Sequence, residues 1–130
     1  MPIVIKGRES VSIPEGKHAG KISDVKQEAR GKEGYEYLDV HVTVEGVKNS
    51  KGEDVTIKYG CPFDLTPNTK LGKLLMLFGV AKNSIEKEEE IDIEEHLKKG
   101  AEVEFMTIDE KSDRGKFARI VDDSLKPKGG

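Results

Sequence analysis

Aromatic and basic side chains recur at alternate positions in two stretches of the sequence. Tyr35, Tyr37 and His41 stand at odd positions of the first stretch, and in the second Phe117 and Arg119 are two residues apart. Alternate side chains of a β-strand leave the same face of its sheet. Rings on such a face can stack on bases, at about 1–3 kcal/mol per base, while lysine and arginine neutralise phosphates. These residue types at this spacing therefore predict a surface for single-stranded nucleic acid.

Lysines on neighbouring elements supply further cations for such a surface. Lys17 and Lys21 lie in the first predicted strand, and Lys58 lies in the third. Any single lysine on the exterior of a strand more often serves solubility than binding. For the tyrosines the alternative is that both rings pack beneath a loop or beneath the N-terminal arm. Both interpretations stay open at the level of sequence.

The last predicted strand presents two different faces, and alternation alone leaves its orientation open. If Ala118 and Ile120 point inward, Phe117 and Arg119 form an exposed couple for stacking and phosphate binding. In the reverse orientation Phe117 is an ordinary core residue.

No residue pattern typical of an enzyme or of a metal centre occurs. The sequence lacks the glycine-rich loop that cradles phosphates, and it offers no set of nucleophile, base and orienting group. Its three histidines are far apart, and Cys61 is the only cysteine, which excludes an internal disulfide and a cysteine-based zinc site. We therefore expect a non-enzymatic protein without a cofactor or bound metal, in which Cys61 is a small buried residue.

Length and composition favour one small domain in the cytoplasm. The 130 residues correspond to about one domain, with 35% hydrophobic and 36% charged residues. The longest apolar cluster is too short for a membrane span, and the N-terminus lacks a signal-peptide pattern. Lysine and glutamate greatly outnumber asparagine and glutamine, a bias typical of proteins from hot environments.

The net charge of −3 is unevenly distributed along the sequence. Residues 86–95 contain seven acids and one lysine, so the rest of the chain is net positive and compatible with an anionic partner. A solvated acidic loop is the simplest interpretation of the run from Glu86 to Glu95. Its alternative role is to dock a basic protein partner.

Alternating apolar residues and turn-forming segments predict five strands with a helical insert. The clearest strand is residues 35–44, whose inner face carries Leu38, Val40, Val42 and Val44. The other strands are expected at 16–28, 55–59, 101–108 and 116–121, and helices at 70–78 and 92–99.

The order of these elements predicts a mainly β fold. Three strands, a helical insert and two further strands fit a five-stranded OB-like barrel, in which the helix between strands 3 and 4 plugs one end. A small β-sandwich with helical decoration is the alternative. We expect one OB-like domain over residues 1–130, with an N-terminal arm or edge strand over 1–13 and a flexible tail over 126–130.

Five short segments carry a family resemblance. They are PEG at 14–16, GKISDV at 20–25, YLDV at 37–40, LGKLL followed by FGV at 71–80, and GKFARIV at 115–121. Their order resembles that of small phage and archaeal mobile-element proteins of the OB-fold, single-stranded-DNA-binding type. The resemblance covers residues 14–125 and implies an OB fold with a role in replication or recombination. The residues that it places on the ligand side are Tyr35, Tyr37, Lys58 and Arg119.

Two functions from different classes stay open. The first is sequence-tolerant binding of single-stranded DNA, or of RNA, by base stacking and phosphate contacts. The second is a protein-interaction or assembly module that keeps the OB barrel without binding nucleic acid. Self-association is compatible with both, because Ile3, Val4 and Ile5 could add a strand to the sheet edge of a second copy.

Overall fold

Six strands form one antiparallel sheet in the computed structural model, which describes residues 3–4, 13–30, 34–112 and 115–129. The strands are β1 (Gly16–Arg30), β2 (Tyr35–Lys48), β3 (Asp54–Pro62), β4 (Glu102–Ser112), β5 (Gly115–Ile120) and β6 (Lys126–Pro127). Their order in the sheet is β3-β2-β1-β4-β5, and β6 also pairs with β4. The prediction of a mainly β fold is confirmed.

The inward face of β2 is the one that the sequence predicts. Leu38, Val40, Val42 and Val44 are all buried, and Val40 lies opposite the buried Tyr59 of β3. Branched apolar side chains suit a pleated surface with one covered side. A shift of one residue in the pairing would turn the whole apolar row toward solvent, so this row fixes the register of β2.

β1 is irregular along its length and pairs with two neighbouring strands. The pairing with β2 is irregular between Ile22 and Asp24, where a bulge turns the strand. Gly20 lies close to β2, because a Cβ at this position would be 2.3 Å from the Thr43 carbonyl oxygen. Beyond the bend Gly100 N donates to Ile22 O at 2.7 Å. β1 therefore pairs with β4 from Gly16 to Lys21 and with β2 from Gly20 to Arg30.

The insert between β3 and β4 contains three short helices. They are α1 (Lys70–Leu77), α2 (Lys82–Glu86) and α3 (Ile93–His96). Thr69 begins α1 as the sequence predicts: its hydroxyl accepts from Gly72 N at 3.1 Å, which satisfies one of the unpaired N–H groups of the first turn. Leu71, Leu74 and Leu75 are buried against the sheet side of the core.

The other two helices differ from the sequence-based expectation. The second predicted helix, at 92–99, is limited to α3, because the backbone leaves the helical conformation at Leu97 and this side chain is fully buried. α2 is not predicted at all. Its five residues include one buried apolar side chain, Ile85, which is too few for a recognisable helical period.

The chain after Leu125 continues the sheet, although the sequence predicts a flexible tail over 126–130. Leu125 is fully buried, and it brings β6 alongside β4, with Pro127 opposite Val103. Lys128 N then donates to Glu102 O at 3.1 Å. A two-residue strand that contains proline has no alternating pattern, so the sequence does not reveal it.

Several predicted features fall on residues 1–2, 5–12, 31–33, 113–114 and 130, which lie outside the described residues. They include most of the predicted N-terminal arm and the centres of two predicted turns. Within the arm, Ile3 and Val4 are exposed and Ile13 is buried.

The two ends of the sheet, β3 and β5, approach each other. In the described part of the chain no backbone ladder joins them. A side-chain contact does connect the two regions, since the Tyr59 hydroxyl of β3 accepts from Asp123 N, just after β5, at 3.2 Å. One cluster of buried apolar side chains lies inside the bent sheet and beneath the helical insert.

Candidate nucleic-acid interface

The face of β2 that points away from the core carries the predicted aromatic row. Tyr35 is 65% exposed, and Tyr37 and His41 are partly buried on the same face. Tyr35 therefore does not pack beneath a loop. Between these side chains lies Asp39, which is 0% exposed although it is charged and points away from the core.

A shallow cleft of about 400 Å³ lies where β2 begins and β3 ends. We call it the aromatic cleft, because Tyr35, Tyr37 and Phe63 line it. Tyr37 lies opposite Pro62 in the ladder, and Phe63 N donates to Glu36 O at 2.9 Å. These backbone contacts bring the two tyrosine rings of β2 close to Phe63, the residue that follows β3.

Phe63 is missing from the sequence-based prediction. Its side chain is 39% exposed at the cleft. The hairpin register alone would not have found it, because position 63 falls beside Glu36, whose side chain alternates with those of Tyr35 and Tyr37. Phe63 lies at the end of the sheet, where it also borders Leu38 of the inner face. The alternating pattern of β3 ends at Pro62, so it gives no expectation for the side chain of Phe63.

Two lysines stand on the same face as the aromatic row. Lys58 of β3 lies opposite His41, and its Nζ is 3.9 Å from Asp39 Oδ2. Lys26 of β1 lies opposite Asp39 on the other side. Both side chains are about half exposed. Lys58 is a predicted site residue, whereas Lys26 is one that the sequence analysis missed.

Asp39 and His41 make the centre of this face polar and covered. The Asp39 carboxylate is flanked in register by Lys26 and Gly60 and lies near the Lys58 ammonium group. Asp39 offsets part of the charge of Lys58, and Asp24 Oδ2, 3.7 Å from Lys26 Nζ, offsets part of the charge of Lys26. His41 is partly buried, and its Nε2 is buried with no hydrogen-bond partner among the described residues.

The orientation of β5, which the sequence leaves open, places Ile120 inside and Phe117 outside. Ile120 is buried and Ala118 is partly buried, whereas Phe117 is 50% exposed. Arg119 is also exposed, but its Nε lies 2.8 Å from Glu110 Oε2, and Asp122 Oδ1 lies 3.5 Å from its Nη1. Two carboxylates thus already contact the Arg119 guanidinium group.

The structure therefore brings together only some of the predicted site residues. Those that share the outer face of β1, β2 and β3 are Tyr35, Tyr37, His41, Lys21 and Lys58. Lys17 lies opposite Met106 of β4, and Phe117 and Arg119 lie on β5 opposite Glu110 and Ile108. These three side chains stand on the outer face of the sheet near β4 and β5, away from the aromatic cleft.

Cys61 lies on the inward face of β3 and is 0% exposed. Burial raises the pKa of its thiol to about 12, although Lys70 acts in the opposite direction. A protonated and inaccessible thiol is a poor nucleophile. The expectation that Cys61 is a small buried residue is confirmed.

Other classes of site find no support in the described part of the chain. There, no three histidine, cysteine, aspartate or glutamate side chains converge in a way that could hold a metal ion. None of the helices formed by the described residues has the length and apolar character needed to cross a membrane. The sequence matches no protein-family model and no curated protein.

Proposed function

We propose that the protein binds single-stranded nucleic acid. Single-stranded DNA is the principal ligand, and RNA is the alternative ligand. Binding is non-enzymatic and tolerant of sequence. Bases stack in the aromatic cleft, and lysines on the same face contact phosphates. A role in replication or recombination, in a virus or mobile element, belongs to the same proposal and rests on the family resemblance.

The observation that carries this proposal is the aromatic cleft itself. Two tyrosines of β2 and Phe63, which follows β3, line one shallow depression, and Tyr35 is 65% exposed there. Lys26 and Lys58 lie on the same face within a few residues of the rings. Rings for any base and cations for the backbone are the two requirements for sequence-tolerant binding.

The order of the strands supports an OB-like barrel as the scaffold of this site. In such a barrel, five strands in Greek-key order surround a core, and the face of strands two and three binds oligonucleotides. The order β3-β2-β1-β4-β5, the approach of β3 to β5 and the helices between β3 and β4 are compatible with it. The aromatic cleft lies on the face formed by β2 and β3.

Fluorescence anisotropy with a labelled twelve-nucleotide oligo-dT (dT12) tests the proposal. An oligo-U of the same length and a duplex are the comparison ligands. We expect dT12 to bind more tightly than the duplex, and the Tyr35→Ala/Phe63→Ala variant to bind at least about thirtyfold more weakly, because each of the two lost stacks removes about 1–3 kcal/mol. Leu77→Ala removes an exposed apolar side chain outside the cleft and is the matched control. No binding of any oligonucleotide by the wild type would refute the proposal.

A different surface favours the protein-interaction module as the second candidate function. Met106, Ile108 and Phe117 are exposed on the outer face of β4 and β5. Phe117 lies diagonally across the ladder from Ile108, so the three side chains share this face, with Arg119 and Glu110 beside them. Exposed apolar groups that adjoin one another are typical of docking sites. The acidic run from Glu86 to Glu95 offers a second surface, which is suited to a basic protein.

The two candidate functions respond differently to Phe117→Glu. A docking module would lose its assembly, seen as a lower mass in light scattering, while its fold is retained. A protein that acts through the aromatic cleft alone would keep its mass and its affinity for dT12.

A further inference from the structure

A groove of about 690 Å³ lies at the opposite end of β2 from the aromatic cleft. We call it the lysine groove, because Lys21, Lys48, Lys99 and Lys128 all line it. Two irregularities open the sheet here. The pairing of β1 with β2 shifts after Ile22, and the pairing of β2 with β3 shifts after Thr43. The depression is therefore part of the sheet itself.

The floor of the lysine groove is a row of residues that crosses the sheet. Thr43 of β2 lies opposite Lys21 of β1, and Lys21 lies opposite Glu102 of β4. Lys128 N donates to Glu102 O, which adds the C-terminal segment to the row. Thr43 and Ser23 also line the groove, and the Ser23 hydroxyl donates to His41 O at 3.1 Å. Lysines, hydroxyls and main-chain groups are the usual contacts of phosphate oxygens.

Two of the four lysines in the lysine groove contact carboxylates of described residues, and the other two do not. Lys48 forms an ion pair with Asp54, and Lys99 Nζ lies 3.5 Å from Asp24 Oδ1. Lys21 and Lys128 form no ion pair with any residue that the structure describes. They flank Glu102 from both sides.

The carboxylates that line the lysine groove are Glu45, Asp54 and Glu102, so four lysines face three acids. With Asp24, which contacts Lys99, the formal charges around the groove balance, so Lys21 and Lys128 can serve one or two phosphates rather than a highly charged ligand. It contains no aromatic side chain, so it offers phosphate contacts without stacking.

β2 connects the two depressions, because Tyr35 and Tyr37 of the aromatic cleft and Thr43 of the lysine groove project from the same face of this strand. Eight residues separate Tyr35 from Thr43, which corresponds to about 26 Å at about 3.3 Å per residue. A strand stacked at about 3.4 Å per nucleotide covers that distance with about eight nucleotides. This length lies within the range of about 4–16 nucleotides for one OB fold.

We propose that the lysine groove is a second subsite for the phosphodiester backbone of the strand whose bases stack in the aromatic cleft. This inference rests on the proposed function. Lys21 and Lys128 contact phosphates, and the strand runs along β2 between the two subsites. A ligand of three nucleotides reaches only the aromatic cleft, whereas dT12 reaches both subsites.

The test compares Lys21→Gln/Lys128→Gln with a matched control, Lys82→Gln/Lys87→Gln. The control lysines are also exposed, and they line neither the cleft nor the groove. Affinity for dT12 is measured between about 0.05 and 0.5 M salt, a range over which phosphate contacts make affinity depend steeply on salt. Each neutralised phosphate of a single strand contributes about 0.7 to the slope of log K against log salt.

We expect the groove variant to lose about 1.4 from that slope, which corresponds to roughly 25-fold weaker binding of dT12 at 0.1 M salt if affinities agree at 1 M. Its affinity for the trinucleotide dT3 should equal that of the wild type. An unchanged slope would overturn the second subsite, and so would an equal loss in the control variant or an equal loss for dT3. In each of these results the wild type still binds dT12. A wild type that does not bind dT12 overturns the proposed function itself.

Discussion

Two ionisable side chains on the inner face of β3 should make the free energy of unfolding fall between pH 9 and 12. Tyr59 is 2% exposed, and burial raises the pKa of its hydroxyl from 10.0 to about 12, while the hydrogen bond from Asp123 N opposes the rise. Cys61 is 0% exposed, and burial raises the pKa of its thiol from 9.0 to about 12. Both folded-state values lie above the unfolded ones, so the fold favours the neutral forms.

The sign and size of the effect follow from linkage. The stabilising contribution is complete below pH 9 and is lost as the pH rises toward 12, because the unfolded chain loses these protons first. Each tenfold difference in proton affinity corresponds to about 1.36 kcal/mol. At pH 10.5 the loss is therefore about 2 kcal/mol from Cys61 and about 1 kcal/mol from Tyr59, or about 3 kcal/mol together.

Urea unfolding at pH 8 and at pH 10.5 measures this loss. The double variant Cys61→Ala/Tyr59→Phe gives the baseline, because lysines also titrate in this range. Relative to that baseline, the wild type should lose about 3 kcal/mol more, Tyr59→Phe about 2 and Cys61→Ala about 1. An equal loss in all four proteins would refute the reasoning that burial in the core sets both pKa values.

Two further predictions concern the start of α1. Gly72→Ala should lower the free energy of unfolding by about 3 kcal/mol or more in urea unfolding, because its Cβ would lie 1.8 Å from the Thr66 carbonyl oxygen; a change below about 0.5 kcal/mol would show that this close approach does not exist. Thr69→Ala should cost about 1–2 kcal/mol, because its hydroxyl accepts from Gly72 N and donates to Thr66 O at 2.9 Å. Thr69→Ser keeps both bonds and should stay within about 0.5 kcal/mol of the wild type, and an equal loss in both variants would contradict the capping role.

The elements that the sequence predicts best are those with a strict period. The row from Leu38 to Val44 alternates without a break, and one buried face is the only arrangement that satisfies it. α1 combines helical spacing of leucines with the cap at Thr69. In both cases local sequence and tertiary packing require the same conformation.

The parts that could not be predicted depend on pairing between distant segments. Asp39 follows the outward parity of β2, yet it is fully buried because neighbours from β1 and β3 surround it. Phe63 joins the aromatic cleft through the register of β3 with β2. The carboxylates beside Arg119 come from β4 and from the turn after β5. None of these neighbours is visible from the period of a single strand.

The barrel and the role of the aromatic row stay predictions. Tyr35 is exposed and Tyr37 lines the same cleft, which is compatible with stacking. Lys17 and Arg119 lie away from that cleft, on the part of the sheet formed by β1, β4 and β5. Sequence alternation assigns faces within a strand, whereas the assignment of strands to a shared surface needs the topology.

The central claim is that one single strand of nucleic acid occupies the aromatic cleft. Backbone amide shifts in ¹H–¹⁵N NMR spectra, recorded while dT12 is added, test it directly. The account predicts that the largest shifts occur at Tyr35, Tyr37 and Phe63, with smaller ones along β2. Shifts confined to β4 and β5 around Met106 and Phe117, or no shifts at all, would contradict it.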